Sequence, residues 1–249
     1  MLISIITVTL NSGHLLVKTV QSVLCQDNGE WELIIQDGGS TDGSLDGLPD
    51  DPRIHLIQEA DTGIYDAMNR AVKHASGDVY NFLNAGDTFV DSTILSAVSQ
   101  AIQAHSSADI IYTDYRNVAM DFTKKQPAQI NQVSLFRAAF CHQTLFFRNK
   151  LFQDLGGYDT KYSIRADLEF LYRCHASPNF TSLHIPICGI KYDGAGLSSL
   201  QSVQKKKERE LAFIRQKYIS KCKRRLFRLA HELTLFRLRR WFRHRRLLT

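Results

Sequence analysis

Short apolar runs, each closing on a polar turn, recur through the first half of the chain, and this alternation constrains the fold more than anything else. Residues 2–8, 32–37, 53–58, 78–84 and 108–114 read as strands, with helical patterns at 14–26, 64–75 and 92–104 between them. Near-continuous apolar strands separated by amphipathic helices predict a mostly parallel sheet covered on both faces. In open sheets of that kind ligands gather at the C-terminal strand edge. One stretch shows the pattern compactly. Gly77-Asp78-Val79-Tyr80-Asn81-Phe82-Leu83-Asn84-Ala85-Gly86-Asp87 begins as a buried strand and delivers a single carboxylate, Asp87, in the turn beyond it. Asp37 and Asp114 stand at two further strand ends, and Asp61 lies in a loop beside Gly63. Acids gathered on one edge repel one another unless a cation or hydrogen-bond donors offset them. A hard divalent metal bridging phosphates suits such an edge. The plainer alternative for any one of them is that Asp, Asn and Gly make good turns.

The second half is less regular. Residues 115–141, around Lys124-Lys125-Gln126-Pro127, suggest a hairpin or a mobile loop. A short strand at 143–148, a helix at 149–155 ended by Gly156-Gly157, a helix at 164–174 and an extended run at 180–187 follow. Asp193-Gly194-Ala195-Gly196, with Ser198 and Ser199 beyond, has the composition of a lid. Charge divides the chain. Residues 1–204 carry 14 Lys/Arg against 22 Asp/Glu, a net −8, whereas 205–249 carry 17 against 3, a net +14. We therefore expect two units, an α/β body over 1–204 and a basic helical tail over 205–249.

Leu226, Leu229, Leu233, Phe236, Trp241 and Leu247 fall on a broad helical arc in that tail, with Arg237 and Arg240 intruding. Such a helix suits an anionic membrane interface. The alternatives are a helix packed on its own domain or an oligomer contact. Five scattered cysteines without a Cys-x-x-Cys pair argue against a disulfide framework and fit a reducing compartment. The apolar N-terminus lacks a basic leader and reads as a strand, and no run approaches a spanning helix.

The ordered turns resemble those of inverting family-2 glycosyltransferases of the GT-A fold, especially bacterial exopolysaccharide transferases of the colanic-acid type. The matching blocks are Ser4-Ile5-Ile6-Thr7-Val8-Thr9-Leu10-Asn11, Gln36-Asp37-Gly38-Gly39-Ser40-Thr41-Asp42-Gly43, Asp61-Thr62-Gly63-Ile64-Tyr65-Asp66-Ala67-Met68-Asn69 and Phe82-Leu83-Asn84-Ala85-Gly86-Asp87. His142-Gln143 and Gly156-Gly157-Tyr158-Asp159 through Ala166-Asp167-Leu168-Glu169-Phe170 complete the set, which covers roughly residues 1–200. The resemblance implies a Rossmann-like sheet flanked by helices and a hexosyltransferase that moves a sugar from a nucleoside diphosphate to an acceptor hydroxyl with inversion. It makes Asp167 the catalytic base. Thr9, Asn11, Asp37, Asp61, Asp66, Asn69 and Asn84 become donor contacts, and Asp87 the ligand of Mg²⁺ or Mn²⁺. His142 becomes an acceptor-side or phosphate-side contact. Many relatives carry Asp-x-Asp-Asp where this chain reads Asn84-Ala85-Gly86-Asp87, so only the last acid remains.

Physical readings run beside these roles. Asp66 and Asn69 share a helix face and could be a plain surface pair. Glu169, two positions after Asp167, reads as a solvated charge or a salt-bridge partner. A lone histidine is most often structural. The implied partners are a nucleotide sugar, a lipid-linked or oligosaccharide acceptor and an anionic membrane, with the enzyme cytoplasmic and peripheral on the inner face of the cell membrane. An oligomer is compatible with this reading, and no nucleic acid is expected. The rival class is a nucleic-acid-binding α/β protein that uses its basic tail, an idea invited by the pI near 9 but opposed by the acidic body. A dinucleotide-binding dehydrogenase is set aside because Gly-x-Gly-x-x-Gly does not follow the first strand.

Overall fold

The computed structural model describes residues 1–27, 30–138, 140–194, 201–227 and 230. β1 (Ile3–Thr9), β2 (Trp31–Asp37), β3 (Ile54–Gln58) and β4 (Val79–Phe82) pair in parallel, in the order β3-β2-β1-β4. β1, β2 and β4 are buried throughout, as their near-continuous apolar runs predict, and β3 is a half-exposed edge. Successive side chains point to opposite faces, so one strand feeds two cores. Ile3 and Ile5 of β1 pack on one side, and Ile6 and Val8 on the other.

α1 (His14–Leu24) and α3 (Ile94–Ala104) lie on the first face. They bury Leu16, Val20 and Val23, and Ile94, Leu95, Val98 and Ile102, at helical spacing. α2 (Ile64–Val72) presents Tyr65, Met68 and Ala71 to the second face. There the core is aromatic. Phe82, Phe152, Tyr158 and Phe170 stack in mutual contact, with Phe152 and Phe170 4.5 Å apart between ring centres.

The sheet continues past β4 in mixed sense. β8 (Leu145–Arg148) runs antiparallel to both β4 and β6 (Ile110–Asn117). β9 (Ser182–Tyr192) pairs in parallel with β6, through register shifts at Asp114, and antiparallel with β5 (Thr88–Phe89). β7 (Phe122–Lys124) closes a hairpin on β6, which is the hairpin expected in 115–141. The parallel core is thus extended by strands whose partners lie far away in sequence, which a local pattern does not reveal.

α4 (Gln132–Phe136), α5 (Asn149–Leu155), α6 (Ala166–Ala176) and α7 (Gln204–Tyr218) complete the second layer. The expected division after residue 204 coincides with the start of α7. Ile214 and Ile219 are nonetheless buried in the same core as α6, so the change at 204 is one of charge and the packing runs through it. Of the six apolar tail positions, Leu226 is described and is 61% exposed; the other five lie outside the described residues. No described helix is long and apolar enough to cross a membrane.

Candidate active site

The C-terminal ends of β1 and β4, the segment before α6 and the first turns of α7 surround a cavity of about 540 Å³. Thr9, Asn84, Asp87, His142 and Asp167, all singled out from the sequence, line it. So do Tyr65, Arg165, Asp193 and Lys207.

Asp87 is 4% exposed. Its Oδ1 accepts from the backbone N–H of Asp193 (2.9 Å) and its Oδ2 from Gln143 Nε2 (2.7 Å). Burial pushes its pKa up to about 7, against the pull of those donors. Beside it, Asn84 Nδ2 donates to His142 Nε2 (3.3 Å), while Asn84 Oδ1 is buried with no partner among the described residues. Burial holds the His142 imidazole below its usual range, against the opposing charge of Asp167. With Nε2 accepting, the ring proton sits on Nδ1, which faces Asp167 Oδ2 at 3.7 Å. The other oxygen, Oδ1, lies 3.0 Å from Tyr65 Oη, which also reaches the carbonyl of Ile164 at 3.1 Å. Burial and the neighbouring carboxylate push the Tyr65 phenol far above its ordinary pKa, so it remains a donor. Asp167 is thereby held between a phenol and a neutral imidazole in the first turn of α6, where the helix dipole favours an anion.

The segment before α6 is fixed by α7. The carboxylate of Glu210, 6% exposed, accepts from the backbone N–H of Ser163 (3.0 Å), Ile164 (3.0 Å) and Arg165 (2.9 Å). Glu169 is 1% exposed and is bridged by Arg173 and Lys217. It is therefore a salt-bridge partner and not a solvated charge. Burial alone would raise its pKa, but Lys217, Tyr218 and Arg173 together hold it below the usual value.

Five of the expected donor contacts do not line the cavity, and each has a structural partner. Asp37 is fully buried, and its oxygens accept from the backbone N–H of Gly39 and Ser40. Asn11 accepts from the N–H of Thr41 (2.9 Å), tying the first loop to that turn. Asp61 bonds the N–H of Gly63 and lies against Gly38, where an added Cβ would come within 2.6 Å of its carboxylate. Asp66 accepts from the N–H of Thr62 and from Arg70 at the start of α2. Asn69 both donates to the carbonyl (2.8 Å) and accepts from the N–H (2.8 Å) of Tyr158. Asp114 binds His184 and the N–H of Gln126, and it does not line the cavity. Of the expected lid, Ala195, Gly196, Ser198 and Ser199 lie outside the described residues.

Tyr65 stood inside a quoted motif without a role. Arg165 precedes Asp167 by two positions, and Lys207 was hidden in a lysine run. A regular spacing does not flag any of the three.

A sheet with helices on both faces thus brings its strand ends and a helix-borne carboxylate to one cavity. The sequence profile described as "Glycosyl transferase family 2" matches residues 4–164, and the chain belongs to that family and is a glycosyltransferase. A "PGL/p-HBAD biosynthesis glycosyltransferase" of Mycobacterium bovis is 33% identical over 198 residues, 78% of this chain and 77% of its own. An "uncharacterized glycosyltransferase" of Mycobacterium tuberculosis is 32% identical over 203 residues, 78% of this chain and 76% of its own.

Among solved structures, residues 1–349 of S. aureus TarS superpose with a TM-score of 0.69 at 17% identity, over 89% of this chain and 67% of that one. Against a longer TarS structure the match spans 36% of that chain. The Pyrobaculum calidifontis mannosyltransferase PcManGT, in complex with GDP-Man and Mn²⁺, gives 0.58 at 20% identity, over 74% of this chain and 54% of its own. At these identities the likeness is one of fold, and the fold is GT-A. Family membership puts the enzyme reading ahead of the nucleic-acid alternative.

Proposed function

We propose that this glycosyltransferase moves a sugar from a nucleoside-diphosphate donor to an acceptor hydroxyl with inversion at the anomeric carbon. The observation that carries this reading is the position of Asp167, in the same cavity as Asp87 and Asn84 and oriented by Tyr65 and His142. Asp167 takes the proton from the acceptor hydroxyl as that oxygen attacks the anomeric carbon, and the nucleoside diphosphate leaves from the opposite face. Tyr65 fixes Oδ1, and His142 stays neutral, so it does not neutralise the base as a cation would.

Solved relatives support the donor class, since TarS has been crystallised with UDP and with UDP-GlcNAc. Thr9, Asn84, Asp87 and Asp193 are the residues we assign to the diphosphate side. The orphaned, buried Asn84 Oδ1 beside a buried carboxylate fits a hard cation. Among the described residues no group of three or more His, Cys, Asp or Glu could hold a metal, so diphosphate and water oxygens would complete the shell. We assign Mg²⁺ or Mn²⁺ to Asp87, Asn84 and Asp193. When bound, the ion supplies positive charge against the leaving diphosphate.

The acceptor is read as a lipid-linked glycan of surface polysaccharide assembly. The basic 205–249 segment would hold the enzyme peripherally on the inner face of the cell membrane. A panel of nucleoside-diphosphate sugars, tested for thermal stabilisation with Mg²⁺ or Mn²⁺, checks the donor. One or a few related donors should raise the melting temperature. Failure of every donor would overturn the assignment.

A further inference from the structure

Asp87, Asp193 and Asn84 line the cavity together with three cations, Lys124, Arg165 and Lys207, of which Arg165 stands two residues before Asp167 and Lys207 on α7. Arg165 Nε is buried without a hydrogen-bond partner among the described residues. Lys207 comes from the second turn of α7, close enough to Arg165 for the two charges to oppose each other. Burial, then the charge of Arg165, lowers the Lys207 pKa, and Asp167 opposes that shift. Glu210 stands one turn further along α7. Its carboxylate faces the backbone N–H groups of 163–165. Two cations held together at a partly desolvated wall favour an anion between them. A guanidinium and an ammonium together suit a phosphate, the first by directed N–H groups and the second as a point charge.

We propose that Arg165 and Lys207 form a subsite for a phosphate group carried by the acceptor. This rests on the reading of Asp167 as the base that meets the acceptor hydroxyl. A group bound two residues before that base, and beside a lysine within its electrostatic reach, belongs to the molecule whose hydroxyl the base deprotonates. The donor's diphosphate is assigned to Asn84, Asp87 and Asp193, where carboxylates call for a cation to accompany it. The acceptor class is therefore a sugar bearing a phosphate mono- or diester close to the attacked hydroxyl, which neutral oligosaccharides lack. The subsite also explains why the first turns of α7 are basic while the helix packs on an acidic body. α7 brings Lys207 to the cavity and, through Glu210, holds the backbone that presents the other cation.

The test uses the full chain and two probes, inorganic phosphate in metal-free buffer and UDP with Mg²⁺, both read by thermal shift. Phosphate should raise the melting temperature of the wild type. Lys207→Gln and Arg165→Gln should abolish that rise and keep the UDP response, and Lys207→Arg should restore it. With a phosphorylated acceptor, the acceptor KM should rise about tenfold in Lys207→Gln, the loss expected for one charged hydrogen bond, while the donor KM holds.

Three results would overturn the proposal. The first is a wild type that ignores phosphate, whatever UDP does. The second is Gln variants that lose the UDP response in equal measure, which would give the subsite to the donor. The third is Lys207-dependent binding to phosphatidylglycerol vesicles without any response to free phosphate, which would give it to a membrane headgroup. A wild type that answers phosphate but not UDP would remove UDP as the donor nucleotide and leave the subsite standing.

Discussion

Removing the Glu210 carboxylate should damage this enzyme more than its place in a charged, basic segment suggests. Oε1 accepts from Ser163 N (3.0 Å) and Ser163 Oγ (3.3 Å), and Oε2 from Ile164 N (3.0 Å) and Arg165 N (2.9 Å). In Glu210→Ala three backbone N–H groups beside a 6%-exposed site lose their acceptor. At about 1–3 kcal/mol for each group left unsatisfied, with partial relief by water, the loss should be about 4 kcal/mol. For a chain of this size that is a fall in melting temperature of roughly 8–16 °C. Glu210→Gln should recover little, because whichever way the amide is turned its NH₂ faces backbone donors. Ser163→Ala removes only the 3.3 Å contact and should cost less than about 1 kcal/mol. The assay is calorimetry or circular-dichroism melting of the three variants beside wild type, with turnover measured below their transitions. Turnover should fall as well, because the clamped segment leads directly into Asp167. A Glu210→Ala variant melting within about 2 °C of wild type would refute the clamp.

Three further outcomes follow from the site and its supports. Asp87 titrates near 7 in the folded chain and at the ordinary carboxylate value of 3.8 when unfolded, so the folded state holds its proton longer and stability falls as pH rises from about 4 to about 7. In metal-free buffer, urea unfolding at pH 5 and pH 8 should show this as a fall of roughly 2–3 kcal/mol in wild type, and Asp87→Asn should remove it; an unchanged pH slope in the variant would contradict the assignment. Gly157→Ala would put a Cβ 2.3 Å from Asn69 Oδ1 and break the paired bonds to Tyr158. We expect a loss of about 2–4 kcal/mol, and in Asn69→Ala the same substitution should cost much less, as a double-mutant cycle would reveal. Tyr65→Phe should lower kcat about tenfold with donor affinity unchanged, since it removes the hydrogen bond to Asp167 Oδ1.

The parallel half of the sheet was legible because each of its strands carries its own pattern. Residues 2–8, 32–37 and 78–84 are apolar on both faces, and the helices between them repeat at helical spacing. β8 and β9 were harder, because their place depends on partners such as β6 and β4 that lie far along the chain. The cavity was legible where a strand end or a helix start fixed the side chain, as for Thr9, Asn84, Asp87 and Asp167. Asp66 and Asn69, which do share a helix face, do not line it. Asn69 instead bonds the backbone of Tyr158, 89 residues away, and no local spacing encodes that contact. Glu210 and Lys207 were lost for the opposite reason. A run dense in charge hides a carboxylate and an ammonium that fold inward.

Single-turnover transfer by Asp167→Asn, compared with wild type at saturating donor and metal, tests the central claim most directly. The substitution keeps the shape and the Tyr65 contact but removes the proton acceptor. The account predicts a rate about 10²–10⁴-fold lower, with nucleotide-dependent thermal stabilisation unchanged. A rate within a few-fold of wild type would show that Asp167 is not the base.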